Sequence, residues 1–156
     1  MMSNLKPNDS NMKKILFSLM AATLCLMIAS CGSPASKIKS LAEDIENNGN
    51  DWTDADQWQS VLEDFATAAC DFLESDFTED EAIEFGESCS EFIDAIKDID
   101  ERKAQKAMEK AGKAVEKNKE LQKRLKKAGK RAEKYAEEQD FDEDELREAF
   151  RGASIF

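Results

Sequence analysis

The sequence contains no histidine, only two prolines and one tyrosine, and no apolar run as long as the roughly 20 residues of a membrane-spanning helix. Histidine is the commonest general base and the commonest metal ligand. Acid–base catalysis and metal binding of the usual histidine-based kind are therefore not expected. A glycine-rich phosphate loop and a CxxC redox motif are also lacking. Acidic residues are frequent at solvent-facing helix positions, and no pair of carboxylates among them can be singled out as a catalytic dyad. We therefore expect a protein that is not an enzyme and has neither a metal site nor another cofactor.

Charge is distributed very unevenly along the chain. The formal net charge is −12, but residues 36–100 carry 20 acidic and 3 basic side chains, whereas residues 101–138 carry 14 basic and 7 acidic ones. The large excess of acid would repel phosphate groups, so we do not expect nucleic acid as a partner. Charged residues make up 36% of the chain and nine residues are Phe, which is typical of a well-solvated domain with an apolar core.

Residues 1–30 contain the three parts of a secretory signal peptide. Lys13 and Lys14 precede a mostly apolar run over residues 15–28, and small residues follow it. Met12 is the better-placed start of this signal peptide. The run is too short for an ordinary transmembrane helix. These features predict export from the cytoplasm.

The end of the run, Ile28-Ala29-Ser30-Cys31, resembles the lipobox of bacterial lipoproteins. The resemblance implies cleavage before Cys31, a diacylglycerol on its thiol and an acylated new N-terminus, with palmitate among the chains. More than one acyl chain anchors a protein stably in a membrane. In this family an Asp after the cysteine retains the protein at the inner membrane. Gly32 stands there instead, and no acidic cluster of the surface-directing kind follows, which favours the outer membrane and the periplasmic side. A secreted protein with a fortuitous cysteine, or a signal anchor, is the less favoured interpretation.

Helix start motifs recur in the mature part of the chain. A Thr or Asp cap follows an aromatic residue and precedes an acid three residues later at three places, beginning with Trp52, Phe77 and Phe141. Apolar residues then alternate at spacings of three and four over residues 54–74 and 79–98, which is typical of a helical bundle. The short connection predicts an antiparallel helical hairpin over residues 54–98.

Residues 101–138 continue the helical period with small side chains, mostly alanine. One uninterrupted helix would be roughly 57 Å long, so we expect it to overhang the hairpin, to bend near Gly112 or Gly129, or to break near Asn118. A short helix at about 143–150 follows. The fold class predicted is all-α, a small helical bundle of the hairpin, the long basic helix and the C-terminal helix. The domain spans residues 37–156, after a short tether over residues 31–36.

One flank of the basic segment repeats every seven residues: Lys103, Lys110, Lys117, Arg124 and Arg131. A row of this kind is usually just a solvated face. The acids of the hairpin lie mainly on faces turned away from the core, so pairing within the domain looks incomplete. We therefore interpret the five residues as a possible surface for an acidic partner, which could be a protein, an anionic envelope polymer or lipid head groups.

Two cysteines, Cys70 and Cys89, remain after signal cleavage and lipidation. An oxidising periplasm suggests a disulfide between them. Their places in the two hairpin helices predict an axial offset of roughly 9 Å, added to 8–10 Å between helix axes. A disulfide needs Cα atoms within about 7 Å. Two buried free thiols are therefore favoured over a bridge.

The whole pattern resembles the small acidic helical lipoproteins of Gram-negative envelopes. That resemblance implies a lipid-anchored, non-enzymatic envelope protein, and we expect a module that binds a protein or a polymer. The alternative is a periplasmic carrier of an apolar ligand between the Phe-rich helices (Phe65, Phe72, Phe77, Phe85 and Phe92). A cavity of several hundred cubic ångströms there would favour the carrier, and a tight core would favour the binding module. The sequence does not specify an oligomeric state.

Overall fold

The computed structural model describes residues 33–149, and this part of the chain forms six helices and no strand. The helices are α1 (Pro34–Asn48), α2 (Ala55–Leu73), α3 (Glu79–Lys97), α4 (Arg102–Glu116), α5 (Lys119–Glu138) and α6 (Glu143–Ala149), with a 3-10 turn at Gly49–Asp51. The predicted all-α bundle is confirmed. None of these helices is both long and apolar enough to cross a membrane. The signal peptide and the lipobox, with Cys31, lie outside the described residues.

Side-chain caps begin three of the helices where the sequence motifs predicted them. At the start of α2, Asp54 accepts a hydrogen bond from the N–H of Asp56 (3.0 Å). At the start of α3, Thr78 and Glu81 each accept from the backbone N–H of the other, at 3.2 Å and 2.8 Å respectively. Asp142 accepts in the same way from the N–H groups of α6. These bonds satisfy N–H groups that have no partner within their helix.

The helical domain begins earlier than the sequence suggested, with helix α1. Residues 34–36, which we assigned to the tether, form its first turn, with Pro34 at the first helical position. Proline is well suited to this position because the N–H that it lacks would have no partner within the helix. Ala35 is buried, and Ile38 and Ile45 are completely buried. The helical domain therefore begins three residues closer to Cys31 than predicted.

Helices α2 and α3 form the predicted antiparallel hairpin and meet through phenylalanine rings. Phe65 stacks on Phe92 with 4.2 Å between ring centroids, and Phe72 stacks on Phe85 at 4.1 Å. The two stacks share one antiparallel register. Helix α1 packs against both helices of the hairpin, and α6 packs against α3. The core of the domain therefore lies among the first three helices.

The long basic segment is two helices rather than one. Helices α4 and α5 are separated by residues 117–118, and the side chain of Asn118 caps α5 by accepting from the N–H of Leu121 (3.2 Å). The break near Asn118 is one of the three outcomes that the sequence left open. Gly112 and Gly129 both lie inside regular helices. The first helix ends where a side chain can replace the lost backbone hydrogen bonds of the next.

Both basic helices pack on α2. The backbone N–H groups of Asp100 and Glu101 donate to the side chain of Asn50 (3.1 and 3.0 Å), which places the start of α4 near the start of α2. The buried residues of the two helices are all alanine: Ala104, Ala107, Ala111, Ala128 and Ala132. Their opposite faces consequently point away from the hairpin.

Candidate functional site

The five basic residues that we interpreted as a partner surface do not share one environment. Lys103, Lys110 and Lys117 are exposed, whereas Arg124 and Arg131 are partly buried. The change coincides with the break between α4 and α5. The two groups therefore have different roles.

Arg124 is held by two carboxylates at the end of α2. Its Nε donates to Glu74 (2.9 Å), and its Nη2 donates to Asp71 and to the second oxygen of Glu74 (2.9 Å each). The hydrogen bond with Arg124 lowers the pKa of Glu74, and the same contact raises the pKa of Arg124. A cation at this position also interacts favourably with the negative end of the α2 dipole.

Arg131 binds the connection that follows α2. Its Nη1 donates to the backbone carbonyls of Leu73 (3.1 Å) and Ser75 (2.6 Å), its Nη2 donates to Asp76 (2.7 Å), and its guanidinium lies 5.5 Å from the ring centroid of Tyr135. Carbonyls at a helix end otherwise lack partners. Both arginines thus act within the domain, and the expectation of incomplete internal pairing does not hold for them.

We predict that Arg124→Ala lowers the free energy of unfolding by about 1 kcal/mol at neutral pH, since the pair is well oriented but largely exposed. The pKa of Glu74 is lowered in the folded state. This contribution is therefore fully present above the ordinary carboxyl pKa and is lost as the pH falls through the lowered value. Urea titrations of the full chain and of Arg124→Ala at pH 7 and near pH 3, followed by tryptophan fluorescence, measure the loss of unfolding free energy at each pH. The neighbouring exposed Lys123→Ala is the control, and an Arg124 effect that is equal at both pH values would contradict the assignment.

Exposed lysines continue over the outer sides of both basic helices. They recur at helical spacings within an arc of about 100° on each helix, which is opposite the buried alanines on α5 and about 110° from them on α4. All eleven are exposed: Lys103, Lys106, Lys110, Lys113, Lys117, Lys119, Lys123, Lys126, Lys127, Lys130 and Lys134. We call this set the lysine face.

Few of these charges are neutralised within the domain. Among the described residues, two of the eleven lysines form ion pairs, Lys113 with Glu109 (3.3 Å) and Lys134 with Glu138 (3.8 Å). Both are exposed pairs within one helix. Counting every seventh residue across the whole segment had found only three members of the face. Plotting each helix separately at 100° per residue would have found the others.

The edge of the lysine face is bordered by acids of α2. An open groove of about 750 Å³ lies between the start of α2 and α4, with Asp54 and Asp56 on one wall and Lys103, Lys106 and Lys110 on the other. The acids and lysines are near one another, but no ion pair joins them among the described residues. The lysines therefore remain available to an external anion.

The hairpin phenylalanines are packed against one another rather than around a cavity. Besides the two stacks between α2 and α3, Phe72 stacks on Phe77 at 4.6 Å. A separate open groove of about 600 Å³ lies beside this cluster, with Phe77, Phe141 and Leu146 among its lining residues. It is bounded by α5 and α6, and it reaches Phe72 of α2 and Ala82 of α3 at the end of the hairpin. Ring stacking at contact distance favours the binding module over the carrier.

Cys70 and Cys89 are buried free thiols, in agreement with the prediction. The predicted axial offset is nevertheless wrong, because the phenylalanine register places Glu87, only two residues from Cys89, level with Cys70. At 100° per residue, Cys70 points away from the Phe-bearing side of α2, whereas Cys89 lies near the side of α3 that meets α2. Burial raises the pKa of Cys89 to about 12 and also raises that of Cys70. Both thiols therefore stay protonated and poorly nucleophilic at neutral pH.

Within the described part of the chain, no group of three or more potential ligands could hold a metal ion. No protein-family model, curated protein or solved structure matches the chain. Function has to be inferred from the residues themselves, and the lysine face is their most distinctive arrangement.

Proposed function

We propose that this chain is a lipid-anchored, non-enzymatic protein of the cell envelope whose lysine face binds an anionic partner. The anchor is Cys31, and the location is the periplasmic side of the outer membrane. The signal peptide and the lipobox pattern support the location. The observation that carries the binding role is the exposed lysine face on two consecutive helices, with two ion pairs among eleven lysines.

The lysine face contributes little to folding. Exposed ion pairs are worth only about 0–1 kcal/mol each, and most of these lysines lack even such a pair in the described structure. Like charges at close spacing repel one another, so the face carries a small energetic cost in the isolated domain. Arg124 and Arg131 show that α5 can bring basic groups against acids of the hairpin and its connection. An anionic partner would remove the repulsion and gain from the summed field of the face.

The acids of the chain make this arrangement more specific. Residues 36–100 carry 20 acidic side chains against 3 basic ones, so an anionic surface is repelled by most of the domain. Attraction is confined to α4 and α5. Repulsion by residues 36–100 and attraction by α4 and α5 would together orient a bound anionic partner toward the lysine face.

Two triple variants with the same change in net charge test this proposal. The first variant replaces Lys103, Lys110 and Lys117 with Glu. The control replaces Lys37, Lys39 and Lys97 with Glu, and these three are the only lysines of residues 36–100. The full chain in neutral detergent is applied to a column of sulfated polysaccharide, a polyanionic probe. We expect the parent and the control to be retained at low salt in spite of a net charge of −12, and the first variant to pass through. The melting temperatures of both variants should stay within a few degrees of the parent, because exposed pairs contribute little.

Identical retention of the two variants would show that the lysine face has no special affinity for polyanions and would contradict the proposal. Loss of folding in the first variant alone would contradict it as well, because the lysines would then stabilise the domain rather than serve a partner. Melting curves followed by tryptophan fluorescence distinguish these results, since both tryptophans lie in the helical domain.

A further inference from the structure

We infer that the anionic partner of the lysine face is the surface of a lipid bilayer containing acidic phospholipids. This inference rests on the proposed function and names its partner class. It is carried by the chemistry of the face, by its shape and by the position of α1 relative to Cys31.

The chemistry of the face does not fit a protein partner. Protein interfaces are enriched in aromatic residues, Met and Arg at their centres and depleted in Lys. Here the exposed cations are lysines, while Arg124 and Arg131 are used inside the domain. No aromatic or large aliphatic residue lies within the lysine arc of either helix. Lysine is a compact, strongly hydrated charge on a flexible stem, which suits attraction to a diffuse layer of lipid phosphates more than docking into a shaped pocket.

The shape of the face fits a broad surface rather than a small ligand. Helices α4 and α5 together extend over roughly 50 Å of helix, and both turn their outer sides away from α2. The outer side of α5 is convex, and the open groove beside the lysines of α4 has Asp54 and Asp56 on its other wall, which would repel a free phosphate. Acidic residues occur chiefly outside the arc, as Glu109, Glu116 and Glu133 do, and Glu137 in the last turn of α5 is the exception within it. A long, mostly positive face of this kind can bring many lysines within a Debye length of a charged plane at once.

The position of α1 would keep the domain at the membrane. Pro34 begins α1, so a lipid on Cys31 would be separated from the helical domain by at most about 10 Å of chain. A tether this short makes the local concentration of head groups around the domain very high, and even a weak electrostatic contact would be populated. The acidic part of the domain would be repelled by the same lipids. Repulsion on one side and attraction on the other would orient α4 and α5 toward the bilayer.

Amine footprinting of the full chain in reconstituted vesicles tests this orientation. One vesicle preparation is phosphatidylcholine alone, and the other includes about one quarter phosphatidylglycerol, an acidic lipid. Acetylation of each lysine is followed by peptide mass spectrometry. Lys110, Lys123 and Lys130 should react at least about threefold more slowly in the acidic vesicles, and about 0.5 M NaCl should remove the difference. Lys39 and Lys97, on α1 and α3, are exposed internal controls whose rates should not change.

Equal rates for the lysine face in the two vesicle types would overturn the lipid inference. Protection that extends equally to Lys39 and Lys97 would overturn it too, since the effect would not be oriented. If either result occurs while the polyanion column still separates the two triple variants, the proposed function stands and the partner is a soluble anionic polymer or an acidic protein. If the column also fails to separate them, both proposals are wrong.

Discussion

Replacing Trp58 with alanine is expected to lower the free energy of unfolding by about 3–5 kcal/mol, at the upper end of what truncation of a buried side chain costs. Trp58 is completely buried. Its indole Nε1 donates to the carbonyl of Trp52 (2.9 Å), and the two rings meet edge to face with 5.1 Å between centroids. Truncation to alanine would remove the apolar contacts, leave a cavity and leave the carbonyl of Trp52 without this donor.

The neighbourhood of Trp58 has little freedom to collapse into that cavity. A methyl group added at Gly49 would lie 2.6 Å from Ile99 and 3.4 Å from the Trp58 ring, so the backbone after α1 approaches Ile99 as closely as glycine allows and lies beside the ring. Cavities that cannot close are the costly ones. The junction formed by Gly49, Trp58 and Ile99 joins the end of α1, the start of α2 and the end of α3. Loss of the Trp58 side chain should therefore weaken the contacts among all three helices.

Urea titration of the full chain, followed by far-ultraviolet circular dichroism, measures the effect. Trp58→Phe is the matched control, because it keeps most of the ring but removes the indole N–H. We expect the control to lose about 1–2 kcal/mol and the alanine variant to lose clearly more. An alanine variant within about 1 kcal/mol of the parent would show that the junction is not the centre of the core.

The hairpin could be predicted from the sequence because the residues that specify its helices lie close together along the chain. Caps such as Thr78 with Glu81 lie within one turn, and the three-and-four spacing of apolar residues fixes which side of a helix is buried. Neither feature depends on knowing a distant partner. The start of α1 was missed because residues 34–36 were interpreted as linker on composition, although proline at a first helical position is compatible with helix.

The partners of Arg124 and Arg131 could not be predicted in this way. Arg124 and Glu74 are 50 positions apart, and whether they meet depends on where the chain breaks between α4 and α5. The sequence left three outcomes open for that segment. In the structure the helix breaks at Asn118, and α5 lies along the end of α2, where both arginines reach the carbonyls and acids. A seven-residue repeat had therefore joined residues of two different roles into one row.

The cysteines show how a correct outcome can follow from an incorrect geometry. Their burial was predicted, but the register was estimated from helix ends, whose positions are uncertain by a few residues. The stacked pairs Phe65–Phe92 and Phe72–Phe85 set the register instead. What separates the thiols is the direction in which Cys70 points on its helix.

The second large effect concerns the anchor. We expect Cys31→Ser to abolish lipidation and to leave an uncleaved precursor, because the serine hydroxyl does not replace the thiol that carries the diacylglycerol in the lipoproteins that this N-terminus resembles. We expect an all-or-none change, since one sulfur atom would be the attachment point. Cys25→Ser is the matched control: it makes the same chemical change six residues earlier, inside the apolar run, and it should be lipidated normally.

Metabolic labelling of growing cells with a clickable fatty-acid analogue tests the lipid anchor, and with it the central claim that this is a membrane-tethered module, most directly. The chain is isolated by affinity, and label is compared among the parent, Cys25→Ser and Cys31→Ser, together with its distribution between membrane and soluble fractions. We predict label and membrane association for the parent and for Cys25→Ser, and no label on a larger, uncleaved chain for Cys31→Ser. Label that persists in Cys31→Ser, or a parent that takes up none, would contradict the account.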